Sequence, residues 1–390
     1  MPVQGNDVGD GVRIAEESCV TQSQLAHVDI GPGCDIRQCQ ILGLPDRPIR
    51  IEANTSLWNC VIRNTPKSRS FSFGPYQVKS ADTVLGEGCS FSQSHIEDSL
   101  IGPNVTGLRC IVRASEVGAK TEIRPHGNLI LTKTAPHCNL GSEISKSVLS
   151  GEGFVSEHTG SYLSLIGPSH YPIVNEQGEE VLLSGLPNLT NIGAGTVFAN
   201  YSGKPKPAAS LTESSGSLKG TSMAWGAFTA VNAVVVNRYD QPQPGDDIFS
   251  ILRHRDVTSL GFGCLVEKKV TGRIPAFSYA SSPSANAIKI GWVLENQPGI
   301  LHNILIKMRK RLGDQAGRLQ GLVEGTIRLE LRLLEEQLQN EQTRFSGEQL
   351  NQGITCLQQN LDGRWRINEV GELTCEWRFD EGTKRWTPCL

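Results

Sequence analysis

Basic and imidazole side chains in the middle third of this 390-residue chain are the first candidates for chemistry. His158 stands twelve residues after Lys146, and an imidazole can accept a proton near neutral pH. The guanidinium of Arg124 and the ammonium of Lys146 are groups that match phosphate oxygens. These residue types are suited to proton transfer beside a bound anion.

Each of these candidates also has a purely structural interpretation. Asn191 and Asn200 are suited to the corners of a coil, because asparagine tolerates left-handed backbone. Lys206 lies beside prolines and is equally suited to a solvated segment, and Arg124 to a surface ion pair. A lone histidine such as His158 is more often structural than catalytic, and His170 is a rival base. Residue type alone leaves both interpretations open.

The elements that position these residues are indicated by a six-residue period. Aliphatic residues such as Ile30, Ile36 and Leu42 recur in steps of six over much of residues 28–236. This spacing fits neither a helix nor a simple hairpin, and it is typical of a β-solenoid with inward aliphatic side chains and glycine-rich corners. The period breaks at 62–84 and at about 167–188, where we expect loops extruded from the coil.

The most specific motif is Asn191-Ile-Gly-Ala-Gly-Thr-Val-Phe-Ala-Asn-Tyr-Ser-Gly-Lys-Pro-Lys. With Arg124-Pro125, Lys146, His158 and Tyr162 upstream, it resembles the hexapeptide-repeat acyltransferases. Within that family it is most similar to the acetyltransferase domain of the bifunctional bacterial enzyme that makes UDP-N-acetylglucosamine. The resemblance covers roughly residues 85–240. It implies a left-handed parallel β-helix, acetyl-CoA as co-substrate, an amino sugar or sugar phosphate as acceptor, no metal, and a homotrimer.

The resemblance also implies roles for individual residues. His158 would be the general base, Arg124 and Lys146 would hold the sugar phosphate, and small residues would let acetyl-CoA approach the backbone. The implied site residues are His158, Asn200 and Tyr201 for catalysis, Arg124, Lys146, Tyr162, Asn191 and Lys206 for the substrate, and Gly193, Ala194, Gly195 and Ala227 for acetyl-CoA.

Two departures from the family pattern favour a different function. The interval from His158 to Tyr162 is one residue longer, and about twenty extra residues precede Asn191. The alternative is a non-catalytic trimeric β-helix that binds a sugar nucleotide or a partner protein. Residues 1–27 hold no glycine-rich nucleotide loop, so nucleotidyltransferase activity is not expected. The paired histidines five residues apart of the γ-type carbonic anhydrases do not occur, and we expect no catalytic metal.

Composition narrows the class of protein. The formal charge of −3 argues against a generic nucleic-acid binder. No stretch approaches the roughly 20 apolar residues of a membrane helix, and the first residues do not resemble a signal peptide. We therefore expect a cytoplasmic protein without a membrane partner. The 11 cysteines contain no Cys-x-x-Cys pair, which predicts free, buried thiols in a reducing compartment.

The predicted domains follow these patterns. Residues 1–240 form the β-helix, 241–297 a linker and mixed β segment, 298–345 a helical segment, and 346–390 a small C-terminal β cap. The helical segment carries leucines at 3–4 spacing and four glycines at every fourth position from Gly313 to Gly325. Glycine disfavours a helix interior by about 1 kcal/mol relative to alanine. The glycines therefore indicate either close helix approach or a break into two helices.

Overall fold

The architecture is taken from a computed structural model that divides into two compact units. The first unit comprises Met1–Leu165 with Gln241–Gly245, and the second Ile166–Asp240 with Asp246–Leu390. The structure describes residues 3–73, 76–141, 143–150, 153–155, 160–162, 164–167, 170–193, 196–200, 222–223, 227–229, 234–237, 248–253, 258–268, 270–282, 284–315, 317–340, 343–361, 377–380 and 385–388.

The first unit is a parallel β-solenoid, as the six-residue period predicts, and three sheets form its faces. The first sheet contains Val3–Gln4, Cys19–Thr21, Asp35–Arg37, Ser56–Trp58, Ser90–Ser92, Thr106–Leu108, Glu122–Ile123, Asn139–Leu140 and Gly153–Val155. The second contains Asp7–Val8, Gln24–Ala26, Gln40–Leu42, Val61–Arg63, His95–Glu97, Ile111–Arg113, Asn128–Ile130, Glu143–Ser145 and Gly160–Tyr162. The third contains Val12–Ile14, Val28–Ile30, Ile49–Ile51, Val84–Leu85, Leu100–Ile101, Glu116–Val117, Lys133–Thr134 and Val148–Leu149. Strand Leu165–Ile166 spans the unit boundary.

The inward register differs in one respect from the six-residue expectation. Ile36 is buried as predicted, but the inward residue of the next strand is Ile41, which is fully buried, and Leu42 is only half-buried. Likewise Val112 is fully buried and Ile111 is half-buried. The corner between the first and second sheets therefore advances the inward position by five residues here. A one-residue slip turns a strand side chain to the opposite face, so this shift decides which aliphatic residues form the core.

Small polar and thiol side chains stack in columns inside the corners. The backbone amide of Ser115 donates to Oγ of Ser99, and the amide of Thr132 donates to Oγ of Ser115, each at 3.1 Å. In a second column the amide of Cys60 lies 3.4 Å from Sγ of Cys39. These bonds satisfy amides that would otherwise be buried without a partner.

The cysteines have the state that the sequence predicts. All nine described cysteines are reduced thiols, and all but the half-buried Cys19 are buried. Burial raises the pKa of the Cys89 and Cys110 thiols to about 11, which makes them poor nucleophiles. These two buried thiols therefore act as packing residues.

The predicted extrusion at 62–84 is an antiparallel hairpin of Ser70–Phe73 and Tyr76–Lys79. Phe71 and Val78 of this first hairpin pack with Ala114, Leu131 and Val148 in one hydrophobic cluster. Burying two such side chains contributes about 1.5–3 kcal/mol each. The hairpin is therefore packed against the outside of the coil instead of projecting from it.

The second unit contains further parallel coils and a second hairpin. Its strands are Thr190–Ile192, Phe228–Thr229, Leu265–Val266, Tyr279–Ala280 and Ile288–Lys289 in one sheet, Val197–Asn200 and Val234–Asn237 in another, and Ser222–Met223 and Ser259–Leu260 in a third. The predicted loop at about 167–188 is confirmed as an extruded hairpin of His170–Val174 and Glu180–Ser184. The hydroxyl of Tyr171, which is fully buried, donates to the carbonyl of Pro187 at 2.5 Å.

The described residues of the second unit form five α-helices: α1 is Ile248–Arg253, α2 Trp292–Asn296, α3 Pro298–Leu312, α4 Arg318–Leu338 and α5 Gly347–Leu361. The glycine repeat corresponds to a break, because α3 ends before Gly313 and a short 3-10 turn precedes α4. Gly325 also allows close approach, since a Cβ there would lie 2.7 Å from Ile173 of the second hairpin. The break into two helices is therefore confirmed, and the close contact at Gly325 is with a hairpin instead of another helix.

The C-terminal segment differs from the predicted cap. Residues 347–361 are helical, so a β cap starting at residue 346 is wrong for this stretch. Farther on, Trp377–Asp380 and Arg385–Pro388 form an antiparallel pair. Among the residues that the structure describes, no helix is long and apolar enough to cross a membrane.

Candidate functional site

Arg124 and Lys146 flank the second sheet on neighbouring coils of the first unit. Arg124 follows strand Glu122–Ile123 and precedes the turn into Asn128–Ile130, and its amide donates to the carbonyl of Leu140 at 2.7 Å. Lys146 follows the adjacent strand Glu143–Ser145. Both side chains are half-buried. The backbone positions of the two predicted phosphate-binding cations are thus well defined. Arg124 lies before a strand of the second sheet, and Lys146 lies after the neighbouring strand.

Lys146 occupies a corner with left-handed backbone. Its φ is 47°, and its amide donates to the carbonyl of Ile130 at 2.8 Å. Positive φ is uncommon for residues other than glycine, but this solenoid uses it at many corners, including Lys120 with φ of 55°. The conformation of Lys146 is therefore a consequence of the coil and carries no functional information by itself.

The second unit brings together three of the other predicted residues. Asn191 is exposed and lies in register with Phe228, while Ala227, directly before Phe228, is fully buried. The amide of Gly193 donates to the carbonyl of Thr229 at 3.3 Å. Asn191 and Gly193 therefore lie on one coil, with Ala227 on the next. Because Asn191 lies inside a strand, the corner-cap interpretation does not apply to it.

For the remaining predicted site residues, the structure describes the strand position of two and leaves the others outside the described residues. The strand containing Asn200 pairs with Val234–Asn237, which places Asn200 opposite Asn237. Tyr162 ends strand Gly160–Tyr162, opposite Ser145. The other predicted site residues lie outside the described residues; they are His158, Tyr201, Lys206, Ala194 and Gly195. Their roles stay predictions.

Sequence reasoning missed a charged group on the outer face of the second sheet. We call it the Glu97 cluster, and it consists of Arg63, Arg69, His95, Glu97 and Arg113. Arg63, Glu97 and Arg113 stand in register on three successive strands. The loop before the first hairpin supplies Arg69. No local motif connects residues 34 positions apart, so only the coil register could have revealed the pairing.

Glu97 is the centre of this cluster and is 2% exposed. Arg63 donates to Glu97 Oε2 from Nε at 2.9 Å and from Nη2 at 2.8 Å. Nη2 of Arg69 lies 3.5 Å from Oε1, and Nε of Arg113 lies 3.8 Å from Oε2. Burial alone raises the pKa of Glu97, but the hydrogen bonds from Arg63 and His95 outweigh it, so the pKa is lowered.

His95 completes the cluster, with Nε2 lying 3.3 Å from Oε2 of Glu97. Burial lowers the pKa of the His95 imidazole, and this outweighs the opposing contact with Glu97. His95 is therefore neutral at pH 7, and the arginines supply the positive charge of the cluster. Within the described ranges, no group of three His, Cys, Asp or Glu side chains is arranged to hold a metal ion.

Parallel coils with small residues stacked in their corners define a hexapeptide-repeat β-solenoid, and the chain resembles the hexapeptide-repeat acyltransferases. No protein-family model matches the chain. Its curated relatives include bifunctional proteins GlmU. The protein from Clostridium acetobutylicum is 27% identical over 228 residues, covering 56% of this chain and 38% of the relative.

Two other GlmU proteins extend this finding. The one from Heliobacterium modesticaldum is 35% identical over 136 residues, covering 34% of this chain and 25% of the relative. The one from Paenarthrobacter aurescens is 26% identical over 280 residues, covering 72% of this chain and 43% of the relative. The matches thus span less than half the length of these relatives. A crystal structure of the polysialic acid O-acetyltransferase OatWY aligns with 71% of this chain and 83% of its own, at 10% identity and a TM-score of 0.10, which is too weak to support any conclusion.

Proposed function

We propose that this protein transfers an acetyl group from acetyl-CoA to the amine of an amino sugar or amino-sugar phosphate. The observation that carries the proposal is the likeness to GlmU, 35% identity in one aligned segment, in a chain that forms a parallel β-solenoid. The placement of Arg124 and Lys146 on neighbouring coils supports it, because a phosphate needs cations fixed by rigid backbone.

The proposed reaction is a direct transfer. His158 takes a proton from the acceptor ammonium, and the freed amine attacks the thioester carbonyl to form the C–N bond. The C–S bond then breaks, and the remaining excess proton of the nitrogen passes to the departing thiolate, which leaves as CoA. Asn200 and Tyr201 polarise the carbonyl and stabilise the developing oxyanion. Arg124 and Lys146 bind the sugar phosphate, and Tyr162, Asn191 and Lys206 orient the sugar. Positioning and general-base help together supply the acceleration.

Acetyl-CoA is proposed to lie against the segment from Gly193 to Gly195 and the neighbouring Ala227. The hydrogen bond from Gly193 to Thr229 fixes these two coils relative to each other. Small side chains let a ligand approach the backbone closely. We further propose a homotrimer, with each acyl-donor site in a cleft between neighbouring solenoids, in a cytoplasmic protein.

Mass spectrometry of the acceptor tests the proposal directly. The protein is incubated with acetyl-CoA and with glucosamine 1-phosphate, glucosamine or another amino sugar, and product is detected as an acceptor heavier by one acetyl group. Arg124→Gln should reduce turnover of glucosamine 1-phosphate more than that of glucosamine. Arg109→Gln is the matched control, because Arg109 is an exposed corner arginine that donates to Gln93 at 2.7 Å.

The second hairpin is the observation that favours a second candidate. It is inserted between the positions of His158 and Asn191, and it packs against α4 in the second unit. If no acceptor is acetylated, and calorimetry detects a sugar nucleotide but no acetyl-CoA, the protein is instead a non-catalytic binding solenoid. Light scattering would then still be expected to give three times the chain mass of 42.4 kDa.

A further inference from the structure

The Glu97 cluster holds more positive charge than its own carboxylate balances. Three guanidiniums, those of Arg63, Arg69 and Arg113, lie within 3.8 Å of one buried carboxylate. His95 is neutral at pH 7 because burial lowers its pKa. Three positive charges against one negative charge leave an excess of two.

The nearby carboxylate of Asp98 does not pair with these arginines and so does not neutralise the excess positive charge. Asp98, the next residue, accepts hydrogen bonds from the amide and the hydroxyl of Thr65. Its ion pair is with Arg47, 3.5 Å away, and Arg47 also binds Asp82. Among the described residues, Glu97 is the only carboxylate in ion-pair distance of the cluster's three arginines.

The arginines also keep donors available. Arg113 makes no hydrogen bond to Glu97, although its Nε is buried and therefore out of reach of a ligand in solvent. Arg63 uses Nε and Nη2 on a single carboxylate oxygen. The side chains of Arg63, Arg69 and Arg113 remain 46%, 40% and 36% exposed, so a ligand can reach them from solvent.

We propose that the Glu97 cluster is a binding site for a phosphate-type dianion, separate from the acceptor site assigned to Arg124 and Lys146. Glu97 anchors the guanidiniums from beneath, while their remaining N–H groups bind the anion from above. A phosphate monoester carries a charge of about −1.5 to −2 at pH 7, which matches the excess of two. The fork of a guanidinium suits phosphate oxygens better than a single ammonium does.

Calorimetric titration with inorganic phosphate at low ionic strength tests this site. The experiment uses the full chain and compares wild type with Arg113→Gln, which removes no hydrogen bond to Glu97 and should leave the fold intact. Loss of a hydrogen bond between charged groups predicts at least about a tenfold rise in Kd. Binding should weaken as salt is added, because half-exposed charges are screened.

Two control variants and two control measurements make the outcome decisive. Arg37→Gln removes an arginine that pairs with Asp35 on another sheet and should leave the Kd unchanged. Lys146→Gln removes a cation of the proposed acceptor site, so the phosphate binding that this variant retains belongs to the cluster. Thermal unfolding of each variant checks that it is folded. Titrations with sulfate, a dianion, and with chloride, a monoanion, test whether the site requires a double negative charge.

Chemical modification provides an independent readout that does not need a variant. Phosphate should protect Arg63, Arg69 and Arg113 from phenylglyoxal, with Arg37 unprotected, as mapped by peptide mass spectrometry. The same protection experiment on Lys146→Gln compares inorganic phosphate with glucose 1-phosphate. If inorganic phosphate protects the three arginines at the lower concentration, the site binds a free anion. If glucose 1-phosphate does so, the site binds a phosphate ester. Absence of binding, equal binding by Arg113→Gln, or protection of Arg124 alone would overturn the proposal.

Discussion

The backbone amide of Gly193 donates to the carbonyl of Thr229 at 3.3 Å, and this bond joins the coil of Asn191 to the coil of Ala227. Adjacent strands of a sheet lie about 4.8 Å apart. Asn191, proposed to contact the sugar, and Gly193, proposed to contact acetyl-CoA, therefore lie on one coil, and Ala227 lies on the neighbouring one. Ala227 is fully buried, so the residues around it form the surface of this coil.

Lys146→Gln should weaken acceptor binding without unfolding the protein. The proposed contact is a charge-assisted hydrogen bond to the sugar phosphate, so we expect KM for glucosamine 1-phosphate to rise by about 10-fold or more. Lys120→Gln is the matched control, because Lys120 also occupies a left-handed corner, with φ of 55°, and is exposed. Equal KM values for the two variants would remove Lys146 from the acceptor site.

Replacing Ile41 and Leu42 individually by alanine tests the inward register. Ile41 is fully buried, so Ile41→Ala should lower the free energy of unfolding by about 2–5 kcal/mol. Leu42 is half-buried, and we expect Leu42→Ala to cost about 1 kcal/mol. Urea unfolding of both variants measures the difference, and a larger effect at Leu42 would support the strict six-residue register instead.

The sequence predicts the solenoid because its core repeats, but it does not predict every corner. An aliphatic pair such as Ile41-Leu42 satisfies a five- or a six-residue step equally well, and only packing of successive coils selects Ile41. The two extruded segments are predictable from breaks in the period. That the first is a hairpin packed onto the coil depends on Phe71 and Val78, whose distant partners have no local sequence signal.

Helix α5 was predictable from local sequence. Ser346 and Gln349 form a reciprocal capping box, with the Gln349 amide donating to Ser346 Oγ at 3.2 Å and the Ser346 amide donating to Gln349 Oε1 at 3.1 Å. Leu350 and Leu357 are buried on the inner face of the helix. The predicted β cap over residues 346–390 is therefore wrong for residues 347–361.

Only part of the candidate functional residues could be selected from the sequence. Motif spacing selects Arg124, Lys146 and Asn191, because the motif residues occur in family order. The Glu97 cluster has no such motif, since Arg63 and Glu97 become neighbours only after an inserted hairpin is looped out of the coil. An insertion therefore makes a contact between neighbouring coils difficult to predict, because it lengthens the sequence separation of the two residues.

The lowered pKa of Glu97 predicts a pH-dependent contribution to stability. Its ordinary value is 4.5, and the folded value is lower because the contacts with Arg63 and His95 outweigh burial. The stabilisation is therefore fully present above about pH 4.5 and is lost as the pH falls through the folded pKa. Glu97→Gln should lower the free energy of unfolding more at pH 7 than at pH 3.

Urea unfolding at both pH values measures this difference. Glu143→Gln is the control, because Glu143 is an exposed residue at the start of a strand in the same sheet. A difference between wild type and Glu97→Gln that stayed constant with pH, or widened on acidification, would show that the Glu97 charge does not stabilise the fold.

Release of free CoA from acetyl-CoA is the most direct test of the proposed acetyl transfer. The reaction is followed with a thiol-reactive dye, with wild type beside His158→Ala, after the slow reaction of the protein's own thiols is subtracted. We predict release that requires an amino-sugar acceptor and falls by about 10²-fold or more in the variant. Acceptor-independent release, or no release with any amino sugar by a folded wild-type protein that binds no acetyl-CoA, would contradict the assignment as an acetyltransferase.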